Sequence, residues 1–229
     1  MHMTEQENAL FAQWRANCPR LVADGVVSPA DYLTSTPRIC VVLKEVNDPE
    51  GGGWDLRRYL ADEGGRAATW TNVARWVHGI RQLQRGDEEL PWAHYERVDA
   101  SFRKAQLRSI CAFNLKKLPG MHTCDPALLE QHAQLDRHYL QAQYALYEPD
   151  ITLCCGTGDL FAGVVGLPPH WQRTRRGVWW QATAPGKYVV DYAHPAARVG
   201  AHMLMYGLMD ALREIRANAG AGAQAPTVA

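Results

Sequence analysis

No two cysteines in this 229-residue chain are separated by two residues, although six are present. That removes the common zinc and thiol-redox spacings. No run of apolar residues approaches the roughly 20 that a membrane-crossing helix needs. The opening segment, MHMTEQENALFAQWRAN, is polar and carries acids, where a secretion signal is basic and then apolar. A cytoplasmic chain without membrane contact is expected. Neither sign of charge is in excess, since 24 Lys and Arg face 24 Asp and Glu. That argues against gripping nucleic acid through bulk charge. It leaves room for a local basic patch, because phosphate affinity depends on where the cations sit. There is no internal repeat. There is also no G-x-S-x-G elbow and no metal-spaced histidine pair, which ranks an unrelated α/β hydrolase low and leaves no metal or cofactor to expect.

What is present is a large apolar fraction, 47%, in four short runs. Ile39–Leu43, Ile110–Phe113, Ile151–Cys155 and Tyr188–Val190 have the length and continuity of strands buried on both faces. Cys40, Cys111, Cys154 and Cys155 fall inside these runs and are expected to be buried, reduced thiols. Between the runs, residues 127–147 place Leu128, Leu135, Leu140 and Tyr144 at helical spacings, after Asp125 as N-cap and Pro126 at the first helical position. Residues 202–218 form a second strong helix. Trp70, Val73, Trp76, Val77 and Ile80 mark the 70–83 segment as a core helix. Residues 177–184 read as an additional strand or hairpin arm. The alternation predicts a three-layer α/β/α sandwich around a central, mostly parallel four-stranded sheet. One domain over residues 1–218 is expected, followed by a low-complexity tail at 219–229 expected to be disordered.

In open parallel sheets, ligands sit beyond the carboxyl ends of the strands. Just past the four runs lie Lys44, Glu45, Asn47 and Asp48; Asn114, Lys116 and Lys117; Gly156, Thr157 and Gly158; and Asp191 and His194. Polar groups recur at all four ends, which points to a site more strongly than any one of them.

Four ordered segments carry a resemblance. LKEVNDP and AHPAAR resemble the first and second motifs of the uracil-DNA glycosylase superfamily, nearest its thermophile-type branch. FNLKK resembles its middle strand and PDITLCCGT its third, so the likeness spans roughly residues 38–200. It implies a monofunctional DNA glycosylase, a hydrolase of base-excision repair that flips out a uracil-like, deaminated or modified base. Aligning the motifs puts Glu45 on the catalytic acid and Asn114 on the asparagine that reads the flipped base. The chain departs from the pattern at Lys44, where glycine is usual, and at Asn47, where proline is usual. The branch's iron–sulfur cysteines are missing: only Cys18 lies near the N-terminus, and Leu118 follows Lys117. No cluster is expected.

The chemistry assigns roles to the rest. A carboxylate at Glu45 stabilises positive charge on the sugar and orients water, which Asn47 or Asp48 helps to hold. An imidazole at His194 donates to the base as negative charge develops there, and Pro195 sets the direction of the turn. Asn114 offers a donor and an acceptor on one amide. Trp54 offers a stacking face, and Gly53, in the Gly51–Gly53 run, lets the backbone approach the base. Arg198, Lys116 and Thr157 are the candidates for the DNA backbone or for wedging the duplex, Thr157 through the backbone N–H groups of its turn. Arg173, Arg175 and Arg176 are further cations. No lysine stands in an obvious Schiff-base setting, so water is the expected nucleophile. DNA is the expected partner, and the chain is expected to be monomeric. The competing reading is a glycosylase-like module that binds a nucleic acid or nucleotide without chemistry.

Overall fold

Every residue of Ile39–Leu43 (β2), Ile110–Asn114 (β3) and Ile151–Cys155 (β4) is buried, so each strand must be covered on both faces. The computed structural model describes residues 3–86 and 88–222. Before β2 come α1 (Met3–Asn17), β1 (Gly25–Val26) and α2 (Pro29–Thr34). Between β2 and β3 lie α3 (Leu56–Glu63), α4 (Ala67–Arg85) and α5 (Ala100–Leu107). Helices α6 (Pro126–Leu135) and α7 (Arg137–Tyr147) precede β4. After it follow α8 (Gly158–Val165), β5 (Gln172–Arg173), β6 (Trp179–Ala184), β7 (Lys187–Tyr192) and α9 (Ala201–Gly222).

The chain is a mixed α/β protein with one sheet, ordered β1-β3-β2-β4-β7-β6-β5. The four neighbours β3, β2, β4 and β7 run parallel, while β1, β6 and β5 each run antiparallel to the strand they join. The expected four-stranded sheet is therefore corrected to seven strands. The additions are two two-residue strands, too short to show a period, and β6, which folds back on β7 through a turn containing Gly186 at φ +74°.

Alternation along the strands divides the core. Ile39, Val41 and Leu43 face α3, α4, α5 and α9, whose Trp76, Val77, Leu208 and Leu212 are buried against them. Cys40 and Val42 face the other way, toward Trp14, Leu140, Tyr147 and Phe161 of α1, α7 and α8. Cys40, Cys111, Cys154 and Cys155 are buried and free, as expected. The segment 127–147 is not one helix. It breaks at Asp136 (φ −92°, ψ 9°), and two residues that set its apparent spacing, Leu128 and Leu135, are 47% and 67% exposed. Leu129, Ala133 and Leu140 make the packed face instead. Asp125 caps α6 as expected, accepting from the N–H groups of Ala127 and Leu128. Helix α9 runs to Gly222, past the boundary expected at 218, and residues 223–229 lie outside the described residues. No described helix is long and apolar enough to cross a membrane.

A buried polar chain lies beside the β3 edge of the parallel strands. Asp24, fully buried, accepts from Lys117 Nζ (2.7 Å), Gln143 Nε2 (2.8 Å) and the Asn114 backbone N–H (2.7 Å). Gln143 reaches Tyr147 (2.9 Å), whose hydroxyl donates to Glu7 (2.6 Å), and Glu7 pairs with Arg57. Gly25 makes room for it. At φ +122°, a Cβ there would fall 2.1 Å from the Glu7 carboxylate and 2.3 Å from the Tyr147 hydroxyl.

Candidate functional site

Glu45 stands two residues past β2. The chain after β3 keeps pairing with the chain after β2: Lys116 N–H bonds Lys44 O (2.9 Å) and Gly120 N–H bonds Val46 O (2.8 Å). This pairing delivers Lys116, whose Nζ lies 2.5 Å from Glu45 Oε2. It also lays Gly120 against the carboxylate, where a Cβ would fall 2.0 Å from Glu45 Oε1. The Glu45 side chain is 6% exposed. Lys116 is thereby reassigned. It is buried and ion-paired, so it is not a free cation for a DNA backbone. Both Lys116 and Gly120 come from the segment that follows FNLKK. Their relation to Glu45 was invisible because it depends on parallel pairing across more than 70 residues.

His194 follows β7, two strands from β2 and on the order of 10 Å away across β4. Its Nδ1 accepts the Ala196 N–H (3.1 Å), and its carbonyl accepts the Ala197 N–H (2.8 Å). Burial, and then the nearby Lys44 ammonium, hold its imidazole below the usual histidine range. A neutral ring with Nδ1 accepting carries its proton on Nε2, so His194 presents one N–H donor. The turn is fixed by more than Pro195. Asn72 of α4 donates to Pro195 O (2.7 Å). Arg75, one turn on, donates to Asn72 Oδ1 (2.8 Å) and twice to Tyr95 O (3.0 and 2.8 Å), with its guanidinium 4.9 Å over the Trp92 ring. Sequence reading missed both residues. The signal was a pair of polar positions inside an otherwise apolar helical stripe. Asn72→Ala is expected to lose about 1–3 kcal/mol of stability, because it leaves a buried Arg75 N–H without its acceptor. It should also loosen the His194 turn, so that the imidazole titrates closer to 6.5 by NMR. An unmoved titration would show that Pro195 suffices.

Asn114 ends β3 opposite Leu43, with its side chain buried. Its Nδ2 donates to Asp24 Oδ2 (3.1 Å), and its Oδ1 has no partner. A carboxylate only accepts, so Asp24 fixes which way the amide faces and leaves Oδ1 buried without a partner. Asn47 is exposed on the turn, where its backbone bridges to Gly120. Asp48 is engaged, accepting from Gly52 N–H (3.0 Å) and Trp54 Nε1 (2.8 Å).

Trp54 reaches the Glu45 turn through its indole, since Nε1 donates to Asp48 Oδ2 (2.8 Å) and the Asp48 N–H bonds Gly120 O (3.1 Å). The Trp54 backbone pairs with Ala23 (3.0 Å) on the far side of the β1 segment, which β3 separates from β2. There Trp54 and Gly53 line an open cleft of about 570 Å³ with Arg15, Asp55, Arg58 and Tyr59. Thr157 is also withdrawn as a phosphate contact. It is buried, and the N-terminus of α8 already holds an anion of this chain, because Asp191 Oδ1 accepts the Gly158 N–H (3.0 Å). Arg198 is exposed on the turn after His194.

No protein-family model matches the chain, and no curated protein matches it. What the fold and site define is an α/β protein that presents an acid, an imidazole and an amide at the carboxyl ends of its parallel strands.

Proposed function

We propose that the chain is a monofunctional DNA glycosylase of the uracil-DNA glycosylase type, within a three-layer fold around its four parallel strands. One observation carries the reading. The order β3-β2-β4-β7 sets Asn114, Glu45 and His194 at one end of the sheet, the end where ligands of such sheets bind.

In this reading the bond from C1′ to the base nitrogen breaks, and its electron pair leaves with the base. His194 Nε2–H donates to the base carbonyl that gathers the negative charge. The Glu45 carboxylate faces the positive sugar and orients a water, whose oxygen bonds C1′ and whose proton passes to the departing base. Lys116 and Gly120 hold the carboxylate in place. The free Asn114 Oδ1 suits a base with an N–H on its pairing edge, such as uracil, and disfavours cytosine, whose ring nitrogen there is an acceptor. Arg198 grips the backbone or fills the vacated stack.

A second reading is favoured by one observation, the Glu45–Lys116 ion pair. An engaged carboxylate suits a module that binds a base and does no chemistry. Oligonucleotides carrying uracil, hypoxanthine, xanthine or a 5-substituted pyrimidine, treated with alkali after incubation, separate the two. Native protein is expected to leave abasic sites in one of them. Glu45→Gln is expected to keep binding while losing about 10²–10⁴-fold in rate. No release from any substrate by native protein would favour the binding module.

A further inference from the structure

A basic and aromatic strip continues from the His194 turn across the antiparallel side of the sheet. Trp179 of β6 lies opposite Asp191 of β7, three residues before His194, and Arg173 of β5 lies opposite Trp179. Partners in register share a face, so this strip begins at the same sheet end as the candidate site. Trp179 is 45% exposed, and the Arg173 guanidinium sits 5.4 Å over its ring. The turn between the two strands carries Arg175 and Arg176, both exposed. Buried Thr174 ties that turn down: its hydroxyl accepts the Val178 N–H (3.0 Å), and its backbone N–H donates to Val178 O (2.9 Å). Helix α9 supplies two acids here. Asp210 pairs with Arg176 (3.0 Å), and Glu214 accepts the Arg175 backbone N–H (2.9 Å). The guanidinium groups of Arg173 and Arg175 have no ion-pair partner among the described residues.

We infer that this hairpin is a contact for single-stranded nucleic acid. Trp179 stacks an unpaired base flanking the nucleotide at His194, and Arg173 and Arg175 hold the phosphates beside it. The choice of nucleic acid as occupant rests on the base-excision reading. The chemistry fits that choice, since an exposed indole stacks any base whose face is free, and guanidinium groups hold phosphate. The dimensions fit as well. From β7 to β5 is about 10 Å, and one strand of stacked DNA advances about 3.4 Å per nucleotide, so the strip spans two to three nucleotides. In an intact duplex the base faces are covered by neighbouring bases, so the strip discriminates in favour of a single or locally opened strand.

The test uses the full chain and a labelled 12-nucleotide strand of ordinary bases, free and within a duplex, followed by anisotropy at several salt concentrations. Native protein is expected to prefer the free strand. Trp179→Ala should weaken that binding about tenfold and leave duplex binding nearly unchanged, while Trp179→Phe should restore most of it. Arg173→Gln with Arg175→Gln should lower the slope of log affinity against log salt by about 1.4, or 0.7 per lost contact. Equal binding of both forms, an indifferent Trp179→Ala protein, or equal competition by polyglutamate would overturn the proposal, the last in favour of an acidic peptide. Because no base is excised in this assay, strand binding through the hairpin stands even if base release fails, and the reverse also holds.

Discussion

His194→Ala is expected to slow base release by about 10²–10³-fold, the usual cost of removing one donor aimed at a developing anion. Substrate binding should change little, because the donor matters most once charge has moved onto the base. The pH dependence follows from the lowered titration of this imidazole. Burial keeps it neutral through the neutral range, so the native rate should be flat there and fall only on the acid side of 6.5. Protonating Nδ1 there would remove the acceptor for the Ala196 N–H and open the turn. Stability should move in the same direction. The unfolded chain takes up this proton at a higher pH than the folded one, so the contribution is complete above about 6.5 and is lost as pH falls toward the folded value. Single-turnover kinetics on the responsive oligonucleotide measure the rate. A variant within a few-fold of native would remove His194 from the chemistry.

Lys117→Met should destabilise the fold by about 3–5 kcal/mol, the range for stripping a buried charge of its partner. Asp24 is fully buried and would keep only the Asn114 and Gln143 donors. The Lys117 ammonium lies 4.3 Å from the Phe113 ring centroid and 5.4 Å from that of Trp14, so methionine fits the apolar surroundings and the cost isolates the charge. Adding Asp24→Asn should recover part of the loss. Urea unfolding at constant slope measures both. A loss under 1 kcal/mol would mean that Asp24 is satisfied by its neutral donors alone. The amide orientation of Asn114 also depends on Asp24, so the double variant tests whether the role proposed for Asn114 depends on the buried chain.

Much of the parallel core was legible because buried strands announce themselves. Ile39–Leu43 and Ile151–Cys155 coincide with their apolar runs, and β3 extends its run by one residue, Asn114. Sheet margins were not legible, since Gly25–Val26 and Gln172–Arg173 are too short for any period. In the site, strand ends pointed to Glu45, His194 and Asn114 because one rule of parallel sheets locates them. What failed were assignments by residue type alone. Lys116 looked like a surface cation and is buried on Glu45. Thr157 looked like a phosphate cradle, yet Asp191, a residue 34 positions later, occupies the helix end beside it. Each error is a long-range pairing that local sequence does not encode.

The margins of the sheet have a consequence for crowding. A strand left open at an edge is a template on which another chain can add. On one side, the outward-facing Val26 N–H is consumed by the Glu7 carboxylate (3.2 Å), and the stretch beyond it is bridged at Ala23 by Asp55. On the other, β5 offers two residues and then turns away into arginines. Neither margin gives an incoming strand a run of free donors and acceptors long enough to nucleate on, so concentrated protein should resist edge-to-edge fibril growth.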